Sequence, residues 1–420
     1  MKSRNLTLAA GALTVLLVLA AAVAGAGEAR VDKGGKAQAA AATSVTLAGW
    51  ASSPEETAAL RRTITAFERV NRDLDVKYSP ISGDYDAAML TRFAAKRPPD
   101  VFYVDSLDVP DYLPALEPLN DEIKATKNFT TKPYYRRLLA AFTVKGQIYG
   151  LPKDWSPLGL VGNRAMLARA GVTTPPTTWA QFTQTLQRLR SSNAVPDGAP
   201  ACLSLDWARI LAFIYQNNGA WLNPAKTQSL INSAQNVATV NIYLSWLKSG
   251  LAKTPAQLGV GWCGEALGKQ KAALIFEGNW VYSFMQKDFP SVGFRVYPMI
   301  RNKARGNLSF TVSYSIGKAS KNKAAAWRLL RYLAGRNGQA VWSKNSGFLP
   351  SRSDVKPPAG RTAFVQEAPA ARPWQFIKGF DRVNDLAGKE LEKTFEGEQS
   401  VAAMLNAIDE ATEEAIRRSS

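Results

Sequence analysis

Between Ser44 and Asp105 the chain alternates β-prone runs with amphipathic helical stretches, and this alternation restricts the possible folds more than any other feature. Val45-Thr46-Leu47 opens a strand in the run to Trp50. Ser53-Pro54-Glu55-Glu56 reads as a helix start: Ser53 caps, Pro54 takes the first helical position, and Glu56 completes a capping box. Leu60, Ile64 and Phe67 follow at helical spacing. Asp75–Tyr78 predicts a second strand. Tyr85–Ala95 predicts a helix with Met89 and Phe93 on one face, and Asp100–Val104 a third strand ending at Asp105. The order β-α-β-α-β predicts a parallel α/β sheet with right-handed crossovers.

The pattern continues in looser form beyond Gly150. Helices are predicted over Trp179–Leu189, Ile210–Tyr215, Val237–Leu247, Lys323–Leu333 and Val401–Ile416, and strands at Leu274–Phe276 and Phe294–Tyr297. No short-period repeat is present, which argues against solenoids and propellers. With 420 residues and about 150 per domain, two to three domains are expected.

The chain has no His and two Cys. That removes Ser–His and Cys–His triads, His-ligated zinc and four-thiolate metal sites. No cofactor and no metal are expected. Paired carboxylates remain open as catalysts. The net charge is +18, or +16 without Lys2 and Arg4 (50 basic against 34 acidic residues). The basic residues are dispersed, the tightest groups being pairs such as Arg61-Arg62, Arg136-Arg137 and Arg417-Arg418. They read as a solvated basic surface, and no nucleic-acid partner is expected.

Met1–Ala26 reads as a secretory leader: Lys2 and Arg4 precede an uncharged Leu/Ala/Val-rich run that ends in small residues. No lipoprotein Cys stands at its end. An uncleaved anchor is the alternative, because 21 apolar residues can span a bilayer. Residues 27–43 read as a disordered linker. The expected location is periplasmic or extracellular. In that oxidising setting Cys202 and Cys263 are expected to pair, against the alternative of two separate buried thiols. The bridge would close about 60 residues and stabilise the chain by roughly 4 kcal/mol.

Ligands of open α/β sheets bind beyond the carboxyl ends of strands. Trp50, Asp84 in the loop Ser82-Gly83-Asp84, and Asp105 fall at or near such ends or helix starts. For each carboxylate the alternative is an ordinary cap or a solvated side chain. Gly259-Val260-Gly261-Trp262-Cys263-Gly264 matches G-x-G-x-x-G in letters but lacks the preceding strand, and reads as a turn beside the sulfur bridge. Trp50, Trp155, Trp207, Trp262, Trp280 and Trp374 occur in loop-like, polar or Gly/Pro-rich contexts. Trp179, Trp246 and Trp327 sit within helical periods and read as core. Flat apolar rings beside carboxylates suit sugars, whose C–H faces stack while their hydroxyls hydrogen-bond.

Several segments resemble the family 1 extracellular solute-binding proteins of ABC importers, the maltose-binding-like proteins. They are Gly49-Trp50 before Ala66-Phe67-Glu68; Pro98-Pro99-Asp100-Val101-Phe102; and Gly146-Gln147-Ile148-Tyr149-Gly150-Leu151-Pro152. Ala170-Gly171 with Pro175-Pro176-Thr177-Thr178-Trp179, the run Gly268–Ala273 with Phe276-Glu277-Gly278-Asn279-Trp280, and Gly347-Phe348-Leu349-Pro350-Ser351 complete the set, in the family's order. The resemblance spans roughly Ser44 to the C-terminus. Where the family usually reads Tyr-Tyr-Asn-Lys, this chain has Val161-Gly162-Asn163-Arg164, so no tyrosine contact carries over there.

The resemblance implies a two-lobed α/β periplasmic-binding-protein fold (type II-like) with a hinge and an interlobe cleft. One lobe is expected near 44–156 plus 298–345, the other near 157–297 plus 346–420. It implies a monomeric binding component, not an enzyme, that captures a carbohydrate and hands it to an ABC permease. Candidate cleft residues are Trp50, Asp84, Asp105, Asp154, Trp155, Asp206, Trp207, Trp262, Gly278, Trp280 and Trp374. Four acids and no Lys or Arg among them favour a neutral sugar; Arg164 and Arg372 are the residues that could change that balance. The alternatives are a secreted glycosidase using two carboxylates, and the same fold binding an anionic solute such as a glycerol phosphodiester.

Overall fold

The computed structural model describes residues 42–50, 53–374 and 376–419. The leader reading lies outside the described residues, as does nearly all of the linker reading; Thr43 already belongs to the first strand. The strands are β1 (Thr43–Trp50), β2 (Leu74–Ile81), β3 (Val101–Asp105), β4 (Thr143–Val144), β5 (Gln147–Ile148), β6 (Leu151–Pro157), β7 (Gly159–Asn163), β8 (Ala199–Cys202), β9 (Ala252–Lys253), β10 (Ala272–Glu277), β11 (Phe294–Tyr297), β12 (Asn307–Ile316), β13 (Leu349–Pro350) and β14 (Ala371–Pro373). Among the helices, those that frame the site are α1 (Pro54–Val70), α2 (Tyr85–Ala94), α3 (Trp179–Ser191), α4 (Trp207–Gln216), α5 (Ala234–Lys248), α6 (Cys263–Gly268), α7 (Trp280–Asp288), α8 (Lys323–Leu333), α9 (Arg336–Ser346), α10 (Phe380–Glu396) and α11 (Val401–Ser419).

α1 starts where the sequence signals it. Ser53 Oγ accepts the Glu56 amide at 3.1 Å, and Ala59, Leu60, Thr63, Ile64 and Phe67 form its buried stripe. The expected return bond of a capping box gives way to a tertiary one: Glu56 Oε1 lies 3.4 Å from the buried Lys153 Nζ. A buried ammonium needs an anion more than an exposed cap needs a second bond.

Two sheets result. The first has the order β13-β6-β12-β3-β1-β2, with β14 paired to β12; the second has the order β11-β7-β10-β8-β9. The predicted parallel arrangement holds across β2-β1-β3. β12, however, runs antiparallel to β3 and β6. It enters from the second sheet through residues 298–306 and not through a crossover helix, so the parallel rule does not bind it. In the other direction a single residue, Leu158, separates β6 in the first sheet from β7 in the second. β13 and β14, late in the chain, return to the first sheet.

One hydrophobic core packs on the first sheet, including Phe67, Met89, Phe102, Tyr103, Trp327 and Leu330. A larger one packs on the second, including Phe182, Ile210, Phe213, Trp246, Leu274, Leu391 and Met404. A third cluster draws on both sheets, joining Trp155 and Leu349 to Val161 and Ile275. It also holds Cys202 and Cys263, which are disulfide-bonded with their Cα atoms 5.4 Å apart. Gly259, in left-handed conformation (φ 64°), turns the chain into α6 beside this bridge, the role expected for the glycine-rich run.

Candidate ligand cleft

β12 threads between the two cores. Its even-numbered residues share a face, with Leu308 in the core of the second sheet and Tyr314 in that of the first. Phe310 and Val312, between them, are partly exposed and mark the floor of a crevice. Directly opposed residues on neighbouring strands point the same way. Asp105 opposes Val312 and Ser156 opposes Phe310, so both reach this floor from the flanking strands.

The first-sheet wall is aromatic. The partly exposed Trp50 indole meets Tyr85 at 5.2 Å and Tyr103 at 5.1 Å, both edge to face, and Tyr103 meets Tyr314 at 5.5 Å. Glycine at 49 is required by this stack, since a Cβ there would collide with the Tyr103 ring. Asp105 ends β3 and accepts the Leu107 amide at 2.9 Å. Burial pushes its carboxyl up to about 6. Asp108, one turn on, is pushed up to about 9, by burial first and then by the negative charge of Asp105.

The second-sheet wall is a linked polar and aromatic unit. β10 delivers Glu277, and α7 begins at Trp280. The Trp280 indole N–H donates to Glu277 Oε2 at 3.0 Å, and its ring meets Phe310 edge to face at 5.3 Å. A Cβ on Gly278 would collide with the Trp280 ring and with Ser156 Oγ, so glycine lets the indole fold over the backbone. Arg209, on the first turn of α4, donates to Glu277 Oε2 at 2.7 Å and to Asp206 Oδ2 at 3.2 Å. Glu277 is fully buried: burial pushes its carboxyl up, and the Arg209 guanidinium pulls it back. Glu277 Oε1 and Arg209 Nε have no hydrogen-bond partner among the described residues. Partly exposed aromatic faces on both walls, carboxylates at the strand ends and the connections between the sheets mark this region as the candidate ligand cleft.

Comparison with known proteins identifies the family and the fold. The sequence profile of the bacterial extracellular solute-binding proteins matches residues 50–340. The chain belongs to that family. A binding protein of Brucella abortus (strain 2308) is 23% identical over 302 residues, covering 68% of this chain and 71% of that one. Among solved structures, an ABC substrate-binding protein from Listeria monocytogenes in complex with cycloalternan superposes with a TM-score of 0.79 at 20% identity, covering 90% of this chain and 99% of that one. The sugar-binding protein MalE from Xanthomonas citri gives 0.78 at 22% identity, over 89% and 98%. UgpB from Mycobacterium tuberculosis, in complex with glycerophosphocholine, gives 0.75 at 18%, over 88% and 98%. These likenesses establish the two-lobed periplasmic-binding fold.

Within this family fold the predicted site residues divide. Asp105, Gly278 and Trp280 lie against the β12 face, Asp105 opposite Val312, Gly278 beside Ser156 and Trp280 on Phe310, while Trp50 packs on Tyr85 and Tyr103 in the first-sheet wall. Asp206 supports the second wall: it caps α4 by accepting the Arg209 amide at 2.9 Å and pairs with the Arg209 side chain. Trp374 is buried near the floor, its amide donating to the Ser309 carbonyl at 2.9 Å and its carbonyl accepting Ser106 Oγ at 2.9 Å. Asp84 is exposed and caps α2 through the Ala87 amide at 2.9 Å.

The others serve the interior. Trp155 and Trp207 are each 2% exposed, and their indoles donate to the carbonyls of Pro350 at 3.0 Å and Ala387 at 2.8 Å. Such rings present no free face to a ligand. Asp154 is buried against Lys153 Nζ at 2.6 Å and the Trp342 indole at 3.0 Å. Trp262 packs on Phe284 at 4.7 Å, beside the disulfide. Of the two arginines in question, Arg164 is exposed, and Arg372 lies 4.3 Å over the Tyr215 ring.

Arg209, Glu277, Asp108 and Phe310 were not singled out from the sequence. Glu277 stood inside the Phe276–Trp280 motif, three residues before the tryptophan it holds. Arg209 stood three residues after the cap Asp206. The alternation of β12 was a readable signal for Phe310; for Asp108 no local signal existed.

Proposed function

We propose that this protein is the extracytoplasmic substrate-binding component of an ABC importer. It captures a neutral carbohydrate, mono- to oligosaccharide, in the crevice and delivers it to a membrane permease. The observation that carries this reading is Trp280: partly exposed, its N–H tied to Glu277 and its edge set on Phe310, it offers a fixed apolar face beside charged acceptors. Trp50 provides the facing aromatic, and Asp105 accepts ligand hydroxyls. The similarity to the Listeria protein in complex with cycloalternan and to the Xanthomonas citri sugar-binding protein supports a carbohydrate here too.

The lobes are proposed as 44–156 plus 298–345 around the first sheet and 157–297 plus 346–420 around the second, with β13 and β14 lent to the first. The hinge runs through Leu158, residues 298–306 and the chain at the end of α9, near residues 345–346. Lys287 Nζ to Glu55 Oε1 at 2.8 Å and the Gly379 amide to Asp111 Oδ2 at 3.3 Å join elements of the two lobes. These contacts open and close with the hinge. Function by binding asks nothing of a nucleophile or metal. The protein is exported through its leader and works as a monomer outside the cytoplasmic membrane.

Calorimetric titration with a panel of neutral mono- and oligosaccharides tests the reading. Trp280→Ala and Asp105→Ala should each weaken binding by roughly ten- to hundredfold while the fold persists. Unchanged affinity in both variants would place the site elsewhere.

A further inference from the structure

From Phe289 through Ser353 the chain carries twelve Lys and Arg residues and not one Asp or Glu. The binding crevice does not use this run, apart from the β12 floor. Part of the run forms α8 and α9. α8 buries Ala326, Trp327, Leu329, Leu330 and Leu333, which leaves Arg328 and Arg331 at its edge. Where α8 gives way to α9, against Asn71 at the end of α1, the structure has a second crevice of about 390 Å³. Arg328, Arg331, Arg336 and Arg352 all line it.

Two of these four are neutralised and two are not. Arg328 forks onto Asp73 at 2.6 and 2.9 Å, and Arg352 forks onto Asp354 at 2.9 and 2.7 Å. Arg336 reaches a neutral partner, the Asp354 carbonyl, at 3.3 Å. Arg331 makes no side-chain hydrogen bond or ion pair among the described residues. Four guanidiniums against two carboxylates leave a local excess of two positive charges. Gly335, the N-cap of α9, has no side chain with which to cap, and the first turn of that helix lines the same crevice. Planar donor forks and open helix amides are the groups that bind tetrahedral oxyanions.

We propose that this arginine crevice is a second binding site, specific for a phosphate group, whether on a free phosphate ester or on a lipid headgroup. It is distinct from the solute crevice. Asp73 directly precedes β2, which runs parallel to β1, so the arginines sit at the amino ends of these strands. Trp50 and Asp105 sit at carboxyl ends, on the opposite edge of the sheet. Occupancy therefore does not compete with the transported solute.

The test uses the whole exported protein and the variant Arg331→Gln/Arg336→Gln. Neither side chain holds a carboxylate, so the variant should fold and bind the transported solute as wild type does. Inorganic phosphate, titrated against sodium chloride of equal ionic strength, should raise the melting temperature of the wild type. The double substitution should weaken that response at least about tenfold. Co-sedimentation with phosphatidylglycerol and phosphatidylcholine vesicles separates the sources. Arginine-dependent retention on phosphatidylglycerol vesicles assigns a lipid phosphate, and a phosphate response without retention assigns a soluble ester. No phosphate-specific stabilisation of the wild type, or the same stabilisation in the variant, would overturn the proposal.

Discussion

Arg209→Ala isolates the energetics of the second wall. Glu277 has no exposed surface, and its Oε2 is held by the Arg209 guanidinium at 2.7 Å and the Trp280 indole at 3.0 Å. Without the arginine, a buried carboxylate loses its counter-charge, a change that ordinarily destabilises by about 3–5 kcal/mol. The carboxyl has an escape, which is to take up a proton. From its ordinary value of 4.5, neutralisation at pH 7 costs about 3.4 kcal/mol, at about 1.36 kcal/mol per unit. That caps the electrostatic loss near 3 kcal/mol at pH 7 and lowers it to under about 1 kcal/mol at pH 5. The sign follows from linkage: the variant's folded state holds a proton that its unfolded state releases above pH 4.5, so its stability falls as pH rises. Glu277→Gln in the same background removes the charge and should restore most of the loss at pH 7. Urea denaturation of the single and double variants at both pH values completes the cycle. A deficit below about 1 kcal/mol at pH 7, a deficit independent of pH, or a double variant no more stable than Arg209→Ala would refute the reasoning.

Other parts of the structure make separate predictions. Asp105, with its carboxyl pushed up to about 6, accepts ligand hydroxyls best when ionised. Affinity should therefore fall as pH drops through 6, approaching tenfold per unit below it; a flat titration profile from pH 8 to 4.5 would contradict this. In the free protein the same raised value favours the folded state at low pH, with that contribution lost as pH rises from 4 through 6. Cys202→Ser/Cys263→Ser should lower stability by about 2–5 kcal/mol in urea, and wild-type stability in the variant would show that the bridge contributes nothing. Gly278→Ala should displace the Trp280 ring and weaken ligand binding at least about tenfold with the fold intact, whereas Gly388→Ala, where a Cβ meets nothing within 4 Å, should leave binding unchanged. Equal affinities for the two alanine variants would disprove the close-packing argument.

The framework of the molecule was legible because local signals agreed with one another. Ser53-Pro54 fixed the start of α1, and the stripe from Leu60 to Phe67 is the one that packs. The disulfide follows from an even cysteine count in a chain read as exported. The antiparallel insertion of β12 was not legible, since pairing partners two hundred residues apart leave no local trace. The candidate site was half legible for the same reason. Trp50, Asp105 and Trp280 lie at strand ends or motif ends, positions that sequence reading can find. Trp155 and Trp207 stand among the same polar and Gly/Pro neighbours yet turn inward to carbonyls, because side-chain direction depends on which strand or helix lies opposite. Glu277 lies inside the Phe276–Trp280 motif, where no local signal shows that, buried, it holds both Arg209 and Trp280.

A neutral sugar is proposed to fill the crevice between the two sheets. Isothermal titration of the exported protein with neutral oligosaccharides, at low and at high salt, tests it most directly. Saturable one-site binding is expected that barely changes with ionic strength, because no net charge is neutralised, and that Trp280→Ala weakens by roughly ten- to hundredfold. Failure of every neutral sugar, together with binding of a glycerol phosphodiester that weakens steeply in high salt, would contradict it.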